Sequence, residues 1–174
     1  MEPYNWIDIS ILQGANFPPV NRWTIFDSPE AFLERPQARR DQILFLDRAS
    51  TQAVYDAFNC YDILCGDDGW GNTPFSAGCF KSVEKYSIQK ESDLKNWLHQ
   101  RGIPFLAKVL LLPVFSADGD PAVLTMWEIL VEFAAEIFAG ENLVVIGENA
   151  DWCLYYHDDG AITFAREPNT ENAV

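Results

Sequence analysis

The run FLAKVLLLPVF, residues 105–115, sets the tightest limit on what this chain folds into. It is too apolar to lie open to water. With Lys108 near one end and Pro113 near the other, it also falls short of the roughly 18 uncharged apolar residues that a membrane span needs. A run of this length and composition reads as a buried strand, central in a sheet. The other elements are then read by what they add around it.

MWEILVEFAAEIFAGE (126–141) has helical periodicity, with Pro121 near the first turn and Gly140 as the stop, so a helix is expected over 122–139. At 100° steps, Val123, Trp127, Leu130, Ala134 and Phe138 share one face, and Thr125, Glu128, Glu132 and Glu136 lie opposite. NLVVIG (142–147) is the next strand. WCLYYHDDGAITFAR closes a hairpin over 152–166, with Asp159-Gly160 expected as a two-residue turn. That register groups Cys153, Tyr155, His157, Ile162 and Phe164 on one face and Trp152, Leu154, Tyr156 and Thr163 on the other. Both faces are apolar enough to require cover on both sides or a partner for exposed aromatics.

Further helices are expected near 29–35, where Ser28 caps, Pro29 fits the first position and Pro36 stops the turn, near 51–59 after Ser50, and over 92–101. In the last of these Ser92 is the cap, Leu94, Trp97 and Leu98 the apolar stripe, and Gly102 with Pro104 the end. NRWTIF (21–26) reads as a short strand. Residues 37–50 fit either helix or strand, and 60–80, crowded with Gly, Asp, Asn and Pro, read as a long loop. The tail from about 167 is polar and expected to fray. With 174 residues, 48% hydrophobic and 14% aromatic, the chain has material for one core and shows no linker or repeat. The expectation is a single α+β domain, mainly antiparallel sheet packed with helices.

Charge is distributed unevenly. There are 26 acidic and 12 basic residues, a net charge of −14, which weighs against binding nucleic acid or an anionic membrane through this surface. From Val109 to Ala165 there is no Lys or Arg, while acids recur from Asp118 to Asp159. Within this stretch Glu128, Glu132 and Glu136 stand one helical turn apart, and each i,i+4 pair of like charges costs roughly 0.2–0.5 kcal/mol. A continuous negative field over the C-terminal third would steer a cationic protein partner.

No residue set carries catalysis convincingly. Cys153 and His157 lie four strand positions apart, about 13 Å, too far for direct proton transfer. Cys60, Cys65, Cys79 and His99 lack the paired spacing of a zinc knuckle. The DGD at 118–120 lacks the ligand ladder of a calcium loop, and CGDDGWGN (65–72) lacks a phosphate-loop pattern. No catalytic residue, metal or cofactor is assigned. The 65–72 loop instead presents Asp67, Asp68 and Trp70, with Trp70 or Trp152 as candidate apolar anchors for a partner. An N-terminus without a basic region followed by an apolar run points to a cytoplasmic protein, in which four cysteines are expected as buried thiols.

A small, acidic, aromatic-rich chain that ends in DWCLYYHDDGAITFAR, a Trp/Tyr-rich strand closed by an Asp-Gly turn, resembles the immunity proteins that bacteria make beside their secreted toxins. The resemblance is one of class, and no single immunity family is assigned. It implies an inhibitor that binds a cognate toxin, often a basic nuclease, and occludes its basic or catalytic surface. Glu128, Glu132, Glu136, Asp158, Asp159, Asp67 and Asp68 would then meet Lys and Arg, with Trp70 or Trp152 packing between them. The alternatives are a nucleic-acid mimic, since glutamates spaced at about 6 Å approach the repeat of phosphates, and an enzyme whose site assembles around the 60–80 loop.

Overall fold

The computed structural model describes residues 7–16, 29–60, 80–113, 120–139 and 142–168. The apolar run at 108–113 takes the position its composition requires. It forms β4 (Lys108–Pro113), buried from Val109 onward and flanked on both sides in the sheet. Its antiparallel neighbours are β5 (Val123–Met126) and β6 (Leu143–Gly147). The described sheet has eight strands, completed by β1 (Gly14–Ala15), β2 (Leu44–Leu46), β3 (Phe80–Ser87), β7 (Trp152–Tyr156) and β8 (Ala161–Pro168). Their order is β1-β2-β5-β4-β6-β7-β8-β3, every pair antiparallel.

Helices α1 (Pro29–Leu33), α2 (Gln37–Arg40), α4 (Glu91–His99), α5 (Trp127–Glu132) and α6 (Ala134–Ile137) join α3 (Arg48–Cys60) in an α+β fold. Period-two alternation sorts the central strands between two cores. Val109, Leu111, Leu143, Val145, Trp152, Leu154, Tyr156, Ile162 and Phe164 pack with Phe32 of α1, Leu94 and Leu98 of α4, and the inner sides of α5 and α6. Leu110, Leu112, Val144, Ile146, Cys153, Tyr155 and Ala165 face the other way, toward Val54 of α3 and Leu12 of the N-terminal segment. The sheet is thus covered on both faces at its centre, which is why β4, β6 and β7 read as near-continuous apolar runs. No helix among the described residues is long and apolar enough to cross a membrane.

Several expectations are corrected. The helix expected over 122–139 starts only at Trp127. Val123–Met126 is a strand bonded to β2 and β4, and Thr125, expected on the polar helix face, is buried and donates its hydroxyl to the Gln42 carbonyl at 2.9 Å. Pairing to two neighbours outweighs a local helical period. The helix also breaks at Phe133 (φ −102°, ψ 20°), where α5 ends and α6 begins. Its inner face is as expected, with Trp127, Leu130, Ala134 and Phe138 all buried.

The hairpin register is shifted by one residue. Leu154 stands opposite Phe164 and Cys153 opposite Ala165, so Ile162 and Phe164 side with Trp152, Leu154 and Tyr156. The turn holds three residues, Asp158-Asp159-Gly160, closed by Gly160 N–H to His157 O at 2.9 Å and His157 N–H to Ala161 O at 2.9 Å. Gly160 takes φ +88°, the left-handed position that ends a three-residue loop. One extra turn residue sends every side chain of one strand to the other face.

Two caps also move. Ser50 lies inside α3, and Asp47 accepts its N–H at 2.7 Å as the capping carboxylate. α4 begins at Glu91 with Lys90 as the capping position, so Ser92 is already helical. Gly102, at φ +67°, ends the helix as expected. Within 37–50, α2, β2 and the start of α3 at Arg48 divide the ambiguous segment. Strand β3 emerges after the expected 60–80 loop, paired along its length with β8. The expected strand at 21–26, the 61–79 part of that loop, the DGD turn up to Gly119 and the tail after 168 lie outside the described residues.

Candidate functional site

Glu128, Glu132 and Glu136 project from the outer side of α5 and α6, and their repulsion is relieved from outside the helix. Arg39 of α2 places Nη1 2.6 Å from Glu128 Oε1 and Nε 2.9 Å from Glu132 Oε2. Arg35, beyond the end of α1, pairs with Glu136 and lies with its guanidinium carbon 4.0 Å above the centre of the Phe133 ring. The basic segment RPQARR therefore supplies what the base-free stretch lacks. Three carboxylates and two guanidiniums form one partly exposed network, and the stripe does not stand as a bare acidic face.

Asp158 and Asp159 sit at the tip of the β7–β8 hairpin, their side chains 64% and 65% exposed. His157 Nδ1 lies 3.0 Å from Asp158 Oδ1 and 3.1 Å from Asp159 Oδ1. The Asp159 carboxyl is held below the usual carboxylate range, first by the Ala161 N–H, which donates at 2.9 Å, and then by His157. Burial, followed by the charges of both aspartates, raises the Tyr155 and Tyr156 hydroxyls. The hairpin tip is at the opposite end of the sheet from Glu128, so Glu128 and Asp158 do not form one compact patch.

Trp152 is not an exposed anchor. It is 6% exposed and packs edge-to-face on Trp127, centroids 5.3 Å apart, and against Phe164 at 5.7 Å. Gly147 faces it so closely that a Cβ there would lie 2.5 Å from the indole Nε1. Asp67, Asp68 and Trp70 lie outside the described residues, as do Cys65 and Cys79. Among the described residues no three His, Cys, Asp or Glu side chains gather as a metal would require. Cys153 is buried on the second face of the sheet, and His157 lies at the turn beyond it.

The residues that sequence reading passed over are Phe105 and Leu106. They were expected to begin the buried strand, but β4 starts at Lys108, and the two side chains are 54% and 73% exposed. They are the central residues of a turn closed by Ala107 N–H to Pro104 O at 3.0 Å. The turn is tied to the start of α5 by Glu128 N–H to Phe105 O at 3.0 Å and Trp127 N–H to Ala107 O at 2.8 Å. His99 meets the Phe105 ring edge-on at 5.6 Å. The available signal was Pro104 beside Gly102, which ends α4 and forces a connection before the strand resumes.

Compared with protein-family models and with curated protein sequences, the chain matches none.

Proposed function

We propose that this chain is a protein-binding inhibitor of the immunity type, a cytoplasmic bacterial protein that neutralises a cognate toxin by covering its basic or catalytic surface. The observation that carries this reading is the acidity left over once the arginines are paired. Arg35 and Arg39 bridge all three stripe glutamates and offset two of their three negative charges, yet Asp158 and Asp159 remain exposed at one end of the sheet. Asp151, exposed, and Glu148, partly exposed, lie at the other end, with no basic side chain bridging either among the described residues. A protein with a net charge of −14 and accessible carboxylates at both ends of its sheet attracts a cationic partner over distances longer than any contact.

The same pairing weighs against nucleic-acid mimicry, because a mimic needs its carboxylates bare, and Arg39 occupies two of the three. The test is co-expression with the product of the gene immediately upstream. A one-to-one complex that suppresses the toxicity of that product supports the proposal. Absence of both complex and protection overturns it.

A further inference from the structure

We propose that the Phe105–Leu106 turn is the apolar anchor by which this chain docks on its cationic protein partner, an inference that rests on the inhibitor reading above. Tight turns ordinarily carry Gly, Asn, Asp or Pro at their tips, because those residues suit the backbone and water. Here the tip is Phe-Leu, 54% and 73% exposed, although the neighbouring Ile103 and Ala107 pack against the core. Neither side chain belongs to either apolar core, and side by side they offer a partner apolar area to cover.

The backbone that presents them is held firmly. Bonds from Ala107, Trp127 and Glu128 fix the turn against α5, whose first residue, Trp127, is fully buried. A rigid anchor loses little conformational freedom on binding. Glu128 stands beside the turn through its bond to Phe105, and Glu148 is bonded by its N–H to Lys108 O at 3.0 Å, two residues beyond Leu106. Arg39 bridges Glu128 and Lys108 follows Leu106 by two residues, so local recognition is by a mixed polar rim around an apolar centre, the usual anatomy of an interface. The net charge of −14 opposes a second copy of this chain as occupant and favours a basic protein with an apolar pocket.

The experiment measures affinity for the upstream gene product by surface-immobilised kinetics, using the full chain. The Phe105→Ser/Leu106→Ser variant is expected to bind at least about 30-fold more weakly, chiefly through faster dissociation, as for a central hot spot. Ile11→Ser, which removes another exposed apolar side chain, is expected to bind as the wild type does. Leu106 replaced by a photo-reactive benzoylphenylalanine, with thermal melting checked against wild type, is expected to cross-link the partner. Wild-type affinity in the double Ser variant, or no cross-link within a formed complex, overturns the anchor and leaves the inhibitor reading standing. Failure of the wild-type chain to bind overturns both.

Discussion

Arg39 reaches Glu128 across 89 residues of sequence, Nη1 to Oε1 at 2.6 Å, and turns to Glu132 with its Nε at 2.9 Å. This one guanidinium converts a repulsive helix face into a bridged one. It also ties α2, which buries no side chain of its own, to α5.

Replacing Arg39 with Ala removes both bridges and restores the repulsion between Glu128 and Glu132. All three side chains are about one-third exposed, so screening limits the effect to about 0.5–1 kcal/mol at low salt. Urea denaturation is expected to show that loss in dilute buffer and a smaller one in high salt.

Trp152→Ala is a probe of folding. The indole fills the space between Trp127, Phe164 and Gly147, and its removal is expected to cost about 3–5 kcal/mol. Thermal or urea unfolding reads this directly. A near-neutral result would mean that the ring is not packed as described.

Two glycines fail for different reasons. Gly147→Ala drives a methyl into the Trp152 indole, with a Cβ contact of 2.5 Å. At Gly160 the nearest atom, Ile88 O, is 4.0 Å away, and the obstacle is the φ of +88°. Gly160→Ala is therefore expected to cost about 1–2 kcal/mol through backbone conformation. Gly160→Asn is expected to recover part of that loss in the same unfolding assay.

The Asp47 carboxyl is held below its ordinary range, first by the Ser50 N–H that it caps. A carboxylate with a lowered folded pKa contributes stability above its unfolded pKa, and that contribution is lost as pH falls through the folded value. Asp47→Asn keeps a good capping acceptor and removes the titration. Between about pH 6 and pH 3 its unfolding midpoint is expected to fall less steeply than that of the wild type.

Fold class and the central strand were legible because β4, β6 and β7 are buried on both faces and leave an apolar record that few other structures would. The inner face of α5 and α6 was legible for a similar reason. Val123–Met126 was not, since its four residues fit the helical spacing of residues 127–138 and only pairing with β2 and β4 makes them a strand. The hairpin shows how small the missing information is. Asp159-Gly160 was recognised as a turn, but whether Asp158 joins it fixes which faces Phe164 and Cys153 occupy. At the candidate site, the partners of Glu128 and Glu136 lie in a segment remote in sequence. The rule that acids need bases was visible, but which bases was not. Phe105 and Leu106 were hidden by their own hydrophobicity, which assigned them to the strand interior.

Electrostatic recognition is tested most directly by the rate at which this chain associates with the upstream gene product, measured by stopped flow across ionic strength. A net charge of −14 acting on a basic partner predicts a rate that falls at least about tenfold between roughly 50 mM and 500 mM salt, with a much smaller change in dissociation. An association rate that does not change with salt would contradict electrostatic recognition of a cationic protein.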